Sequence, residues 1–260
     1  MFAQSLCTYC RDDESTILVV KGEVERFLGL ADVIFNPSNP KPKQSAQGVL
    51  TGVAGALLHR IELIEGEKRA LEIMGPVENL APGEVAVGGV VKETCIAHIT
   101  VPINMRVGDK EELRVMRIVA ERPTELIVCN LDNKNIQHFV KAHRCPPNSQ
   151  FKIGDEVKVI FNNGKPRAFA HADFEVPSED EYMRLIANTV VKALEFAKSH
   201  KVLAMPFPGA GGFGFKEDDV VKVVTRTVFK HIPQGTAVLL VHPNLQTCEV
   251  AAETLEGLIV

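Results

Sequence analysis

An α/β sandwich carrying a small all-β insert is the fold this sequence predicts, and three observations predict it. Short apolar runs alternate with helical patterns over most of the chain, each about one element long. One run, at residues 202–205, empties into Gly209, Gly211, Gly212 and Gly214 and then into an acidic, amphipathic stretch from Lys216. Between about residues 106 and 176 the rhythm breaks, because strand-like runs recur there and helical amphipathicity of comparable strength does not.

Composition narrows the function classes. The chain has 260 residues, enough for one large domain or two small ones, and its 45% apolar and 24% charged content suits a globular protein. A net charge of −4 shows no basic excess, so a nucleic-acid partner is not indicated. No apolar run approaches the roughly 20 residues of a membrane span, so no membrane association is expected. The first ten residues lack the basic flank and apolar centre of a signal peptide, and a cytoplasmic setting is expected. The six cysteines then read as thiols rather than a disulfide frame. Cys7-Thr-Tyr-Cys10 has metal-ligand spacing, and Cys145 with His143 would complete a zinc site, but there is no second C-x-x-C. Thiols near a mobile N-terminus are the favoured reading, with no metal and no cofactor.

Taken in order, residues 16–21 form a β-branched run that ends at Gly22-Glu23-Val24. After a short helical stretch, residues 32–35 read as a buried strand. It opens into Asn36-Pro37-Ser38-Asn39-Pro40, a turn that its prolines keep from becoming a helix. A helix then opens at Thr51-Gly52-Val53-Ala54-Gly55-Ala56-Leu57 and runs to about residue 64, with small residues at its N-terminus. Strands follow at 85–88, after Pro82-Gly83-Glu84, and at 95–101. Pro177-Ser178 starts an amphipathic helix over 179–199. The remaining elements are the strand at 202–205, a helix from 217 to about 231, a strand at 237–241 and a helix from about 246 to 258.

Inside the insert, strand-like runs lie at 113–119, 125–129 and 157–161. The last turns through Asn162-Asn163-Gly164-Lys165 into 166–171, a hairpin signal. The organisation is therefore a host domain at 1–104 and 178–260, interrupted at 105–177 by a small β-barrel-like module.

Strand, glycine loop and helix together let bare backbone approach a phosphate, because N–H groups meet the anion and no Cβ intervenes. A glycine-rich turn without a ligand is the plain alternative. Two such loops following one sheet would face each other beyond the strand carboxyl ends, which suits a diphosphate and so a nucleotide-like ligand.

Five stretches, in order, resemble the macrodomain family of ADP-ribose-binding proteins. Asp32-Val-Ile-Phe-Asn36-Pro-Ser-Asn39 is similar to its D-x-I-V-N-A-A-N, and Gly22-Glu23-Val24 stands where G-D-I is usual. Gly52-Val53-Ala54-Gly55-Ala56-Leu57 resembles the first phosphate loop, closest to the coronavirus-type form. Pro82-Gly83-Glu84-Val85 falls where many members have a T-G-E-A turn, and residues 205–215 resemble the second phosphate loop. The resemblance covers about 1–104 and 178–260.

It implies a three-layer α/β/α macrodomain with a mixed central sheet, to which the small all-β insert is added. By that resemblance Glu23 would accept from the adenine amino group, with Val24 beside the ring and His242 able to stack there. Gly52, Val53, Ala54 and Gly55 would wrap one side of the diphosphate, and Gly209, Ala210, Gly211 and Gly212 the other. Phe213 would pack on the distal ribose. Asn39 would hydrogen-bond that ribose and help place an attacking water, as the one catalytic residue, while Asn36 is either a ligand contact or only a turn residue. Phe213 as a core plug, Glu23 as a solvated charge and Asn39 as a turn residue are the structural alternatives, and His59, His98 and His242 read as structural rather than catalytic. Ala54 stands where many hydrolytic members have Asp. The function implied is binding of ADP-ribose and hydrolysis of mono-ADP-ribose from modified proteins, or of a related derivative. The alternative is a non-catalytic reader of ADP-ribose or ADP-ribosylated proteins.

Overall fold

The buried runs read from the sequence hydrogen-bond side by side at the centre of one sheet. In the structure, a computed structural model, residues 3–38, 52–75, 80, 83–122, 125–133, 135–141, 144–146, 149–211 and 213–259 are described. The first sheet contains β1 (Gln4–Cys10), β2 (Thr16–Lys21), β3 (Val33–Ser38), β4 (Val85–Val91) and β5 (Thr94–Thr100). A second sheet follows in the chain: β6 (Glu111–Glu121), β7 (Glu125–Asn130), β8 (Gln137–Lys141), β9 (Glu156–Asn162) and β10 (Lys165–His171). The chain then returns to the first sheet with β11 (Val202–Met205) and β12 (Ala237–His242). The helices are α1 (Gly52–Glu65), α2 (Glu67–Ile73), α3 (Glu179–Phe196), α4 (Glu217–His231) and α5 (Leu245–Glu256).

Among the described residues the first sheet has seven strands in the order β1-β2-β12-β11-β3-β5-β4. Its centre is parallel, and β1 and β4 pair antiparallel at the two edges. Side chains alternate between its faces, so each central strand feeds two cores. Val33, Phe35, Leu203, Met205 and Leu240 pack under α3, α4 and α5, against residues such as Ile186, Val224 and Leu255. Ile34, Ile96, Ala204 and Val241 face the other way, onto Leu57 and Ile61 of α1 and Ala70 and Ile73 of α2. That makes three layers, α/β/α, on a mixed sheet. Strands buried on both faces read as unbroken apolar runs, which is why these were legible.

Local chemistry sets the element ends. Asp32 Oδ2 accepts from the N–H groups of Lys201 and Val202 at 2.7 and 2.8 Å, tying the start of β11 to β3. Ser178 and Glu181 form a reciprocal capping box at the start of α3. Glu217, Asp218 and Asp219 open α4, and Lys230 and His231 close it, matching the helix dipole at both ends.

The second sheet lies between β5 and α3 in the chain, in the order β10-β9-β6-β7-β8 and antiparallel throughout. Its outer strands β8 and β10 come into contact, so the sheet curls into a partly open five-stranded barrel. Met116, Leu126, Val128, Val157, Val159, Phe161 and Phe169 fill it.

Three expectations are corrected. The N-terminal segment is not a mobile end: residues 4–10 form β1, and Tyr9 meets Phe229 of α4 with ring centroids 5.2 Å apart. Its polar alternation belongs to an edge strand, covered on one side only. Asn36 lies in a strand rather than a turn, because β3 continues through Pro37. Beyond Ile34 only β5 pairs with β3, so a residue lacking an N–H is tolerated there. The helix α2 and the strand β8 were not expected, since each buries only one or two apolar residues. None of the six cysteines forms a disulfide, and Cys145 is buried in the barrel. Among the described residues no helix is long and apolar enough to cross a membrane.

Candidate ligand-binding site

The parallel neighbours β3 and β11 define the site. The chain leaving β3 proceeds to α1, which covers one face of the sheet, whereas the chain leaving β11 proceeds to α4 on the opposite face. Adjacent strands whose connections diverge in this way leave a crevice at their carboxyl ends, the usual ligand position of open α/β sheets.

Both flanks of that crevice are built from glycine. On the β11 side, Gly209, Gly211 and Gly214 have φ of +96°, +94° and +83°, a region L side chains rarely adopt. Gly209 is buried, and a Cβ there would lie 3.2 Å from Ile186 Cδ1 and 3.4 Å from Val220 Cγ1. Gly211 is exposed, and a Cβ there would meet nothing within 4 Å among the described residues. The Ala210 N–H closes the turn onto the Phe207 carbonyl at 3.1 Å. On the β3 side, α1 begins at exposed Gly52, with φ +63° and nothing among the described residues within 4 Å of a Cβ placed there. Val53, Ala54, Gly55 and Ala56 follow half-buried, and the first turn carries no acid to compete for its N–H groups.

Further along the crest, the end of β2 and the end of β12 meet. The Gly22 N–H donates to the His242 carbonyl at 2.9 Å. Glu23 holds Arg26 through Oε2, with Nε and Nη2 both at 3.0 Å, on the surface. Val24 is 4% exposed and packs inward below α1, so it forms the floor of this end and not an open wall. His242 accepts at Nδ1 from the Asn244 N–H and stands edge-on to Phe207, centroids 6.1 Å apart. Burial lowers its pKa, with Glu217 opposing.

At the foot of the crevice, Asn36 and His98 face each other across β3 and β5, 1% and 2% exposed, with Nδ2 of Asn36 3.0 Å from Nδ1 of His98. Burial pushes the imidazole pKa down to about 4, against the Ile73 carbonyl nearby. Asn36 Oδ1 has no partner among the described residues. His59, by contrast, is exposed on α1 beside Glu62.

The second loop ends at the second sheet. Phe213 packs with Ile103, Met105, Ile160 and Ala168, a cluster shared with β9 and β10. Its carbonyl accepts from the Asn104 N–H at 2.9 Å, and the Gly214 carbonyl accepts from Asn104 Nδ2 at 2.7 Å. Phe213 is thus half-buried against the barrel side of this junction. Asn104, Arg167 and Glu111, which surround this junction, were not singled out from the sequence. Their partners across the junction lie 56 to 110 residues away, and no local pattern signals such pairing.

The candidate residues Asn39 and Gly212, along with Pro82 and His143, lie outside the described residues. A groove of about 960 Å³ between α3 and the start of β4, lined by Gly83, Glu84, Asn188 and Lys192 among others, contains none of the candidates. No cluster of three metal-ligating side chains occurs among the described residues.

No family model matches the sequence, and no curated protein matches it. Solved structures do. A macrodomain of Oceanobacillus iheyensis with MES bound superposes with a TM-score of 0.58 at 16% identity, covering 99% of this chain and 98% of that one. The same macrodomain with ADP gives 0.57 at 17% identity, covering 100% and 98%. A mutant of it with ADPR gives 0.57 at 17% identity, covering 99% of each chain. At these identities the likeness is one of fold: the chain has the fold of those macrodomains.

Proposed function

We propose that this chain is a member of the macrodomain family that binds ADP-ribose and removes mono-ADP-ribose from ADP-ribosylated proteins, or hydrolyses a related derivative. The observation that carries the reading is the pair of glycine-built flanks at the divergence of β3 and β11. That arrangement supports a diphosphate, and the same fold is seen elsewhere with ADP and with ADPR. Gly52 to Gly55 take one side of the diphosphate and Gly209 to Gly212 the other. Glu23 accepts from the adenine amino group while anchored by Arg26. His242 borders the ring, and Val24 supports it from below. Asn39 holds the distal ribose and a water. Asn36, buried against His98, braces the end of β3.

A second reading, a non-catalytic reader, is favoured by one observation. His98 at the foot of the crevice is buried against Asn36, and burial lowers its pKa to about 4, which makes it a weak and inaccessible base, so hydrolysis needs help from a substrate phosphate. Calorimetry with ADP-ribose, run beside turnover of a protein ADP-ribosylated on an acidic side chain, separates the readings. Micromolar affinity, about −8 kcal/mol, is expected, with release of ADP-ribose. Binding without release on every substrate tried selects the reader, and no binding at millimolar ligand rejects both.

A further inference from the structure

Besides the apolar contact of Phe213 with Ile160 and Ala168, the barrel reaches the candidate site through a partly buried arginine. Arg167 leaves β10 with its side chain 14% exposed, and its Nη1 donates to the Asn104 carbonyl at 2.7 Å. Nη2 donates to the Arg106 carbonyl at 2.9 Å and to Glu111 Oε2 at 2.9 Å, while Nε lies 2.6 Å from Glu111 Oε1. Burial opposes ionisation of Glu111, but Arg167 and the Gly108 N–H hold its carboxyl below the usual range. The guanidinium occupies the space beside Gly214: a Cβ there would sit 2.3 Å from Nη1. Asn104, held by Arg167, in turn holds the carbonyls of Phe213 and Gly214. The chain of contacts runs from the barrel to the second glycine loop without a break. The same strand connection is fixed to the host, since the Met105 N–H donates to the Tyr182 hydroxyl at 3.1 Å and Tyr182 stacks edge-on with Phe215.

We infer that the five-stranded barrel sets the shape of the second glycine loop through Arg167, a positioning residue that locks Asn104 onto Phe213 and Gly214. The inference deepens the ADP-ribose reading and rests on it for its functional consequence: the insert tunes affinity at the diphosphate. A planar fork suits this place, because its two Nη atoms make three hydrogen bonds at once, to two carbonyls and a carboxylate, beside the ion pair to Glu111, and a point charge does not reproduce that spread. The coupling is reciprocal, so a ligand that orders the loop also tightens the barrel junction.

The test compares Arg167→Ala and Asn104→Ala with Val157→Ala, a cavity in the barrel core away from the junction. Each full-length variant is measured for thermal midpoint, for ADP-ribose affinity by calorimetry, and for amide exchange over residues 101–106 without ligand. Asn104→Ala leaves no buried charge unpaired, so it keeps the test alive where Arg167→Ala fails to fold. The expected result is a tenfold or greater loss of affinity and faster 101–106 exchange in both junction variants. Val157→Ala should stay within twofold of wild type in affinity despite a lower thermal midpoint. Junction variants that bind like wild type, or a Val157→Ala loss of equal size, overturn the inference. If wild type itself binds no ADP-ribose, the functional reading fails and the exchange measurement decides alone. Exchange faster at 101–106 in the junction variants than in Val157→Ala supports positioning, and equal exchange refutes it.

Discussion

Protonation of His98 offers a quantitative check on the foot of the crevice. The ring is 2% exposed, Nδ1 faces the Asn36 amide at 3.0 Å, and its pKa stands at about 4 against 6.5 in a model peptide. A histidine whose folded pKa lies below its unfolded one contributes stability that is fully present above the unfolded value. That contribution is lost as pH falls from about 6.5 towards 4. The difference of about 2.5 units, at 1.36 kcal/mol each, sets a limit of about 3 kcal/mol. Between pH 7 and pH 5 the linkage relation gives a loss of about 2 kcal/mol. Urea unfolding of wild type and His98→Gln at pH 7, 6 and 5 isolates this term, because the other titrating groups are common to both proteins. The variant is less stable at pH 7, having lost packing, but its stability should fall about 2 kcal/mol less than that of wild type on the way to pH 5. Parallel curves, within about 0.5 kcal/mol over the window, would refute a neutral, buried His98 and with it the pairing to Asn36.

Three further outcomes are expected. Gly211→Val places a β-branched residue at φ +94°, costing about 1–2 kcal/mol of stability. On the proposed reading it covers backbone that meets the diphosphate, so ADP-ribose binding by calorimetry should weaken more than tenfold, about 1.4 kcal/mol. Asn39→Ala should keep ADP-ribose affinity within about tenfold while lowering turnover about a hundredfold, since an interaction made mostly in the transition state reports in rate; equal turnover in both proteins removes Asn39 from the chemistry. Ser178→Ala removes the capping box of α3 and should lower stability by about 1 kcal/mol, with ligand affinity unchanged. A chemical-denaturation midpoint equal to wild type would contradict that role for Ser178.

The sequence by itself determined the host architecture, and the reason is periodicity. Residues 202–205 and 217–231 carry buried runs and amphipathic patterns so regular that their elements appear where expected. The capping box at Ser178 and the hairpin at Asn163-Gly164 are equally local signals. Glycines 209, 211 and 214 were legible as a loop because only glycine serves at those φ values. Edge strand β1, short α2 and β8 were not legible, since each is held by its neighbours and not by its own pattern. Asn36 was placed in a turn by its prolines, and only the absence of β11 beyond Ile34 shows why a strand accepts Pro37 there. Nor could Val24 be assigned to the core, or Phe213 to the barrel, from residues alone. The contacts that decide them join segments far apart in the chain. The Arg167–Asn104–Gly214 relay spans 63 and then 110 residues, and a pattern read over a dozen neighbours has no access to a distance set by how two sheets pack.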